Sequence, residues 1–278
     1  MAEWIDPGTN KTFSFNEDGK FVDENGNPPQ NGFRNDQKFS DWLHSYVQKE
    51  MIAKGLEITE VDGVPIFHSK NAFNSPNKLL VLNCGSGRIM AGLWSVGLVA
   101  WHGLKAGSVL YYIDECFKRG MEVIVLNPNF SEFSDNVTKV YNELIIPGNP
   151  KHVYIICHSM GGYDTIRAIH CNPEWAINHI RAIAMTDAIE MRIDNDEYQI
   201  DKWSHQIAIN WIRSNKELNE ELGEGDFSML RSAGTNDHPL TTWHAYPYIW
   251  EFFNSKGADS EPSALDLNLF TNKDINQE

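Results

Sequence analysis

Basic residues are scarce in this chain, and they do not cluster. The 278 residues include 23 Lys and Arg against 38 Asp and Glu, which gives a formal net charge of −15 at pH 7. The basic side chains form no run and no alternation with aromatic residues. Because nucleic-acid phosphates are bound mainly by clustered Lys and Arg, we expect no direct binding of RNA or DNA. The acidic charge favours solubility or contact with a basic partner surface.

Long apolar runs are also absent, and cysteines are few. No stretch approaches the roughly 20 apolar residues of a membrane-spanning helix, and the opening MAEWIDPGTN lacks the layout of a secretion signal. The four cysteines, Cys84, Cys116, Cys157 and Cys171, show no C-x-x-C pair and no zinc-like spacing with histidine. We therefore expect no membrane contact, no metal and no cofactor, and a cytoplasmic or nuclear protein that is not secreted.

What the chain does contain is a series of short apolar runs separated by helical patterns. Runs that are apolar on both faces are typical of central strands in a parallel sheet. Alternation of such strands with helices predicts an α/β fold with a doubly wound, mostly parallel sheet flanked by helices. The runs are KLLVLNC (78–84), MEVIVLNP (121–128), HVYIICHS (152–159), HIRAIAMTD (179–187) and SMLRSAGT (228–235).

The chain is predicted to form one domain with two less regular ends. Residues 1–34 are polar and rich in turn residues, which indicates an irregular N-terminal arm with at most a short hairpin. Residues 35–256 form the α/β domain. Within it, residues 188–226 are interpreted as a cap-like insert over the crevice, with a helix over 202–215. Residues 257–278 are predicted to be a flexible acidic tail.

The segment IICHSMGG (155–162) has the order strand, sharp turn, serine, helix. This is the order of the nucleophile elbow of α/β-hydrolases, in which small residues two before and two after the serine relieve crowding. Gly161 fits the second position, and Cys157 replaces the usual glycine at the first. Ser159 is therefore the candidate nucleophile. The alternative is that Ser159 only caps the helix.

Two later segments supply a base and an acid for this serine. His238 lies in SAGTNDHPLTTW after the last predicted strand, and Asp187 stands at the end of the strand before it. A serine needs a base to take its proton, and the base needs a carboxylate to orient it. The order Ser159, Asp187, His238 is the chain order of α/β-hydrolases. Asp237 is a weaker candidate for the acid, since adjacent loop side chains seldom face each other.

The loop NCGSGR (83–88) is the predicted oxyanion loop because it follows the first of the central strands. Gly85 or Ser86 would supply one backbone N–H, and Met160, directly after the serine, would supply the other. The loop could instead cradle a phosphate, although it has neither G-x-G-x-x-G spacing nor a Walker lysine.

Tryptophan is enriched, with nine copies in the chain. A large sheet flanked by helices can bury such side chains, and an apolar crevice can also use them. We predict that Trp211 and Trp243 lie nearest the crevice as pocket residues. The alternative for both is an ordinary place in the core.

Several blocks, spread from about residue 13 to about residue 254, carry a resemblance to a known family. They include LNPN (126–129), HSMGG (158–162), AMTDA (184–188) and SAGTNDHPLTTW (232–243). Together they resemble the Argonaute-binding-protein-two domain family, and within it the cotranscriptional regulators also called family with sequence similarity 172.

The resemblance implies an α/β-hydrolase fold, a serine nucleophile at Ser159, and the acid and base at Asp187 and His238. It also implies partners in Argonaute-containing RNA-silencing complexes or in splicing-related complexes. Relatives commonly have histidine where this chain has Cys84, and they carry a lysine-rich insert after LNPN that is missing here. Two functions follow: a serine hydrolase of a small ester, thioester or amide, and a non-catalytic scaffold for protein partners.

Overall fold

Twelve strands and nine helices make up the structure, a computed structural model that describes residues 2–30, 33, 36–130, 135–192 and 200–258. The strands are β1 (Glu3–Ile5), β2 (Thr12–Phe15), β3 (Phe21–Asp23), β4 (Leu56–Val61), β5 (Val64–Ser69), β6 (Lys78–Asn83), β7 (Glu122–Val125), β8 (His152–His158), β9 (Ile180–Thr186), β10 (Ala208–Ile212), β11 (Glu221–Glu224) and β12 (Met229–Ser232). The helices are α1 (Gln37–Ala53), α2 (Val96–His102), α3 (Leu104–Gly107), α4 (Leu110–Lys118), α5 (Asn136–Val140), α6 (Met160–Cys171), α7 (Pro173–His179), α8 (Ile200–Ile207) and α9 (Leu240–Ser255), and a π-helical turn (Tyr141–Ile145) continues α5.

The central sheet has nine strands in the order β4-β5-β7-β6-β8-β9-β10-β12-β11. The six strands from β7 to β12 in this order run parallel, while the β4–β5 hairpin and β11 close the two edges in antiparallel pairing. The turn of the β4–β5 hairpin lies at Asp62 and Gly63. The predicted fold class, an α/β-hydrolase-like doubly wound sheet, is confirmed.

The central strands are buried on both faces, as their unbroken apolar runs predict. In β6, Leu80 and Leu82 pack into one half of the core, and Leu79 and Val81 pack into the other. Parallel strands end at the same edge of a sheet, so the residues that follow β6, β8 and β9 lie near one another. That edge holds the candidate site.

The prediction of an irregular N-terminal arm over residues 1–34 is wrong. Strands β1, β2 and β3 form a three-stranded antiparallel sheet, and Phe13, Phe15 and Phe21 are buried in the core against α1. The strands are only three or four residues long and alternate with strong turn signals. Tertiary burial of the aromatic side chains therefore decides the structure here.

The region predicted as a cap-like insert, 188–226, contributes two strands to the central sheet. The predicted helix over 202–215 is right up to Ile207 and wrong from Ala208, where β10 begins directly and pairs with β9 and β12. Residues 193–199 of this region lie outside the described residues. The predicted tail also lies outside them, apart from 257 and 258.

Candidate functional site

The elbow at the end of β8 has the backbone geometry that the sequence predicts. Ser159 stands between β8 and α6 with φ 55° and ψ −124°. A non-glycine residue with positive φ is strained, and such strain persists where the surrounding structure enforces it, often at functional sites. The turn projects Ser159 at the carboxyl edge of the sheet, where the N-terminus of α6 provides N–H groups without helical partners.

The two glycines after the serine let α6 approach its neighbours closely. A Cβ on Gly161 would lie 2.6 Å from the Cys84 carbonyl oxygen and 2.7 Å from that of Asn83. A Cβ on Gly162 would lie 2.7 Å from the Ala188 Cβ. Both residues must therefore be glycine for the elbow to form.

The predicted acid and base are hydrogen-bonded to each other. His238 Nδ1 lies 2.5 Å from Asp187 Oδ2, and the two residues come from the loops after β12 and β9. The weaker candidate Asp237 is exposed and takes no part in this contact. The structure thus joins Asp187 and His238 across 51 positions of sequence.

Asp187 also has a cationic neighbour, Arg213, which the sequence did not indicate. Arg213 Nε lies 2.6 Å from Asp187 Oδ2, and the Arg213 backbone N–H donates to Oδ1 at 3.1 Å. Burial raises the pKa of Asp187, but the hydrogen bonds from His238 and from Arg213 outweigh it and hold the pKa below its usual value. Asp187 is therefore a carboxylate at neutral pH.

The ring of His238 lies over His158, the residue before the serine. Their ring centroids are 4.6 Å apart with an interplanar angle of 30°. His158 Nδ1 lies 2.8 Å from the Thr186 carbonyl oxygen, which fixes its ring in the core. Burial, aided by the nearby His238, lowers the pKa of His158 to about 4, so this ring is neutral at physiological pH. Within the described residues, Ser159 Oγ makes no hydrogen bond to His238.

The predicted oxyanion loop lies directly against the serine. A Cβ on Gly85 would lie 2.7 Å from Ser159 Cβ and 3.2 Å from Oγ. Ser86 follows in the exposed part of the loop, and Met160 is the first residue of α6. The structure therefore brings Gly85 and Met160 beside Ser159, the arrangement that an oxyanion site requires.

The two predicted pocket tryptophans lie in packed environments. Trp211 is buried in the core near Phe252 on the α9 side of the sheet, and its indole N–H donates to Asn219. The alternation of side chains along β10 points Trp211 to this face. Trp243 is half-buried and packs on Tyr111 and Tyr246 between α4 and α9.

The buried thiols beside the elbow do not compete with the serine. Burial raises the pKa of Cys84 and of Cys157 to about 12. A thiol is nucleophilic only as the thiolate, so neither is reactive at neutral pH. Over the described ranges, no group of three His, Cys, Asp or Glu side chains could hold a metal ion, and no helix is long and apolar enough to cross a membrane.

Two asparagines that sequence reasoning did not single out connect the strand ends at the site. Asn83 Nδ2 donates to the Gly161 carbonyl oxygen at 2.9 Å and to Thr165 Oγ1 at 3.1 Å. Asn129 Nδ2 donates to the carbonyl oxygens of Gly85 and Ile89. The signal for Asn129 was the LNPN block, which marks the family resemblance without suggesting a role.

Comparison with known proteins tests the predicted family resemblance. The sequence model of the Arb2 domain matches residues 32–136. The predicted resemblance to the Arb2 domain family is confirmed. The matched range includes the oxyanion loop and LNPN, whereas Ser159, Asp187 and His238 lie beyond it.

Curated relatives of this chain are named cotranscriptional regulators or FAM172 family homologs. It is 26% identical over 327 aligned residues to the cotranscriptional regulator ARB2A homolog of Xenopus tropicalis, covering 87% of this chain and 78% of the relative. It is 25% identical over 247 residues to the Dictyostelium discoideum homolog, covering 70% of this chain and 62% of the relative. A FAM172 family protein homolog of Caenorhabditis elegans is 38% identical over 111 residues, covering 36% of this chain and 35% of the relative.

Solved structures share the fold at low sequence identity. The histone deacetylase Clr3 matches with a TM-score of 0.55 at 12% identity, covering 83% of this chain and 42% of that chain. A histone deacetylase from Saccharomyces cerevisiae matches with a TM-score of 0.55 at 9% identity, covering 78% of this chain and 98% of that chain. These likenesses concern the fold alone.

Proposed function

We propose that this chain is a serine hydrolase that cleaves a small ester, thioester or amide. The observation that carries the proposal is the Asp187–His238 hydrogen bond at the sheet edge that also presents the strained Ser159. The acid, the base and the serine come from three separate loops in the chain order of α/β-hydrolases. Packing alone does not require that combination.

In the proposed reaction, Ser159 Oγ attacks the carbonyl carbon of the substrate while His238 Nε2 takes the hydroxyl proton. The carbonyl oxygen becomes an oxyanion, which the N–H of Met160 and an N–H of the Gly85–Ser86 segment stabilise. His238 then gives the proton to the leaving group, and the carbon–heteroatom bond breaks to leave an acyl-serine.

Water completes the cycle by the same route. His238 takes a proton from water, the hydroxide attacks the acyl-serine, and the proton returns to Ser159 Oγ as the acid product leaves. Asp187 stays ionised throughout and orients the imidazole through Nδ1, in agreement with its lowered pKa. The missing Ser159–His238 hydrogen bond is compatible with this route because such contacts often tighten only when substrate binds.

Covalent labelling with a fluorophosphonate tests the proposal. In that reaction the Ser159 oxygen forms a bond to phosphorus and fluoride leaves, so intact mass reports one adduct. We expect one adduct on the native protein and none on Ser159→Ala. Ser45→Ala is the matched control because Ser45 is exposed on α1 and far along the chain from the site. A folded native protein that gains no adduct would overturn the proposal.

A second candidate is a non-catalytic scaffold that binds protein partners in Argonaute-containing or splicing-related complexes. Two observations favour it. Ser159 Oγ has no hydrogen bond to His238 in the described part of the chain, and Arg213 occupies the same carboxylate oxygen as His238. The names of the relatives also favour it, since they are cotranscriptional regulators. A nuclear location is part of this candidate.

The two candidates differ in what Ser159→Ala should do. Binding of a purified Argonaute protein, measured by pull-down with the native chain and the variant, should be equal if the chain is a scaffold. No retention of Argonaute by either protein would count against the scaffold.

A further inference from the structure

We propose that Asn129 is a positioning residue that fixes the Gly85–Ser86 peptide, so that the Ser86 N–H serves as the second oxyanion donor. The inference rests on the proposed hydrolase function and deepens it. It assigns a role to LNPN, the block of the family resemblance that the triad leaves unexplained.

The first step is the contact between Asn129 and the loop. Asn129 Nδ2 donates to the Gly85 carbonyl oxygen at 2.7 Å and to the Ile89 carbonyl oxygen at 2.8 Å. In the part of the chain that the structure describes, these carbonyl oxygens accept no other hydrogen bond. One side-chain amide therefore holds both ends of the loop segment that faces the serine.

The second step is the geometry of the peptide. The C=O of Gly85 and the N–H of Ser86 belong to one planar trans unit, in which the two groups point in opposite directions. Because Asn129 holds the Gly85 carbonyl oxygen on one side of the peptide, the Ser86 N–H points to the opposite side. Among the described residues this N–H has no acceptor, so it is available to an oxyanion.

The third step is proximity. The Gly85 Cα lies so close to the serine that an added Cβ would clash with Ser159 Cβ. A rotation of the adjoining peptide plane thus changes the group presented beside the nucleophile. Gly85 can rotate easily because it has no side chain, and this freedom is what Asn129 restrains.

The support for Asn129 is itself rigid. Asn129 follows β7 after Pro128, whose ring fixes one backbone angle. Asn127 is buried, and its Oδ1 accepts from the Ala91 N–H at 2.9 Å while Nδ2 lies 3.3 Å from the Pro65 carbonyl oxygen. Asn127 therefore ties the LNPN segment to β5 on one side and to the residues that follow the predicted oxyanion loop on the other.

The experiment compares fluorophosphonate labelling of native protein, Asn129→Ala, Asn129→Asp and the control Asn172→Ala. Asn172 is also half-buried and donates through Nδ2 to two oxygens, those of Ala168 on α6 and of Asn142 in the π-helical turn, away from the loop. We expect both Asn129 variants to lower the maximal labelling rate by roughly 10²- to 10³-fold, the loss typical of one oxyanion donor. The probe concentration at half-maximal rate should stay nearly constant.

Asn129→Asp is informative because it keeps the shape of the side chain while it removes the donor. A labelling rate in that variant equal to the native rate would overturn the inference. So would an equal loss of rate in Asn172→Ala, since the effect would then reflect general destabilisation.

Crystal structures of the native protein and Asn129→Ala give a readout that does not depend on activity. We expect the Gly85–Ser86 peptide to rotate, or to adopt two orientations, in the variant. An unchanged peptide would overturn the inference even if the serine reacts. A native protein that takes no label would instead overturn the hydrolase function, while the peptide orientation would still decide the role of Asn129.

Discussion

The two halves of the candidate site are built by different forces. The nucleophile half, where β6 and β8 end, is held by close backbone packing, with Gly85 and Gly161 in contact with neighbouring backbone or with Ser159. The acid–base half, at the ends of β9, β10 and β12, is held by hydrogen bonds and charge among Asp187, His238 and Arg213.

This difference predicts how each half responds to substitution, pH and salt. Close packing is short-ranged and does not depend on pH or salt. A single added methyl group should therefore destabilise the elbow strongly under all conditions. Ionic contacts at a partly exposed site are weakened by protons and by salt, so the acid–base half should respond gradually. His158 links the halves because it precedes Ser159 and lies under the ring of His238.

The largest effect is expected from Gly161→Ala. The added Cβ would lie under 3.0 Å from two backbone oxygens that cannot move independently of β6. We expect the free energy of unfolding to fall by about 3 kcal/mol, the upper part of the range for overpacked sites. Urea unfolding followed by circular dichroism measures it. Gly8→Ala is the control because its Cβ would meet only Asp6 Oδ1 at 3.5 Å, and a similar loss there would refute the steric argument.

The next effect, expected from His158→Gln, depends on pH and approaches the size of the Gly161→Ala effect only near pH 4. The unfolded chain takes up a proton near pH 6.5, whereas the folded protein resists protonation of His158 until about pH 4. The contribution of His158 to the free energy of unfolding is therefore complete above pH 6.5 and is lost as the pH falls to 4. The total loss is about 3 kcal/mol. Asp187 has a lowered pKa, so its contribution to the free energy of unfolding is lost only when the pH falls below the usual carboxyl value of 3.8.

Urea unfolding at several pH values between 4 and 7 checks this prediction, since those limits bracket the titration of His158. The glutamine variant should show a flatter dependence of stability on pH than the native protein. Parallel curves for the two proteins would mean that His158 does not carry the effect.

The smallest effect is expected from Arg213→Met. The Arg213 side chain is 56% exposed, so solvent screens its ion pair with Asp187. We expect a loss of less than about 1 kcal/mol in the free energy of unfolding, which shrinks further near 1 M salt. Arg88→Met is the control, since Arg88 is exposed and forms no ion pair among the described residues. A large loss of unfolding free energy that salt does not change would mean that close packing, and not charge, holds the acid–base half together.

The same division explains what could be predicted from the sequence. The parallel strands and the elbow are local patterns, since the run in β8 and Gly161 reveal them without knowledge of the rest. The Asp187–His238 pairing followed from the chain order typical of the fold. Both predictions depend on rules that hold within a short segment or for a whole fold.

The missed features depend on distant contacts. Strand β10 continues a helical pattern without any turn residue, and its pairing with β9 and β12 decides its structure. Arg213 carries no sequence signal, because an exposed arginine in a loop is ordinary. Asn129 could be noticed only within a family block, and its hydrogen bonds to Gly85 and Ile89 appear only after folding.

The small N-terminal sheet gives the protein an optical reporter of its own. Trp4 in β1 and Trp42 in α1 have ring centroids 5.8 Å apart at an interplanar angle of 46°. Two indoles this close and mutually tilted couple their strongest electronic transitions and produce a signed pair of bands in far-ultraviolet circular dichroism. Because Trp4 lies in the small sheet and not at the edge that holds Ser159, that signal reports detachment of the small sheet while a label on Ser159 reports the elbow.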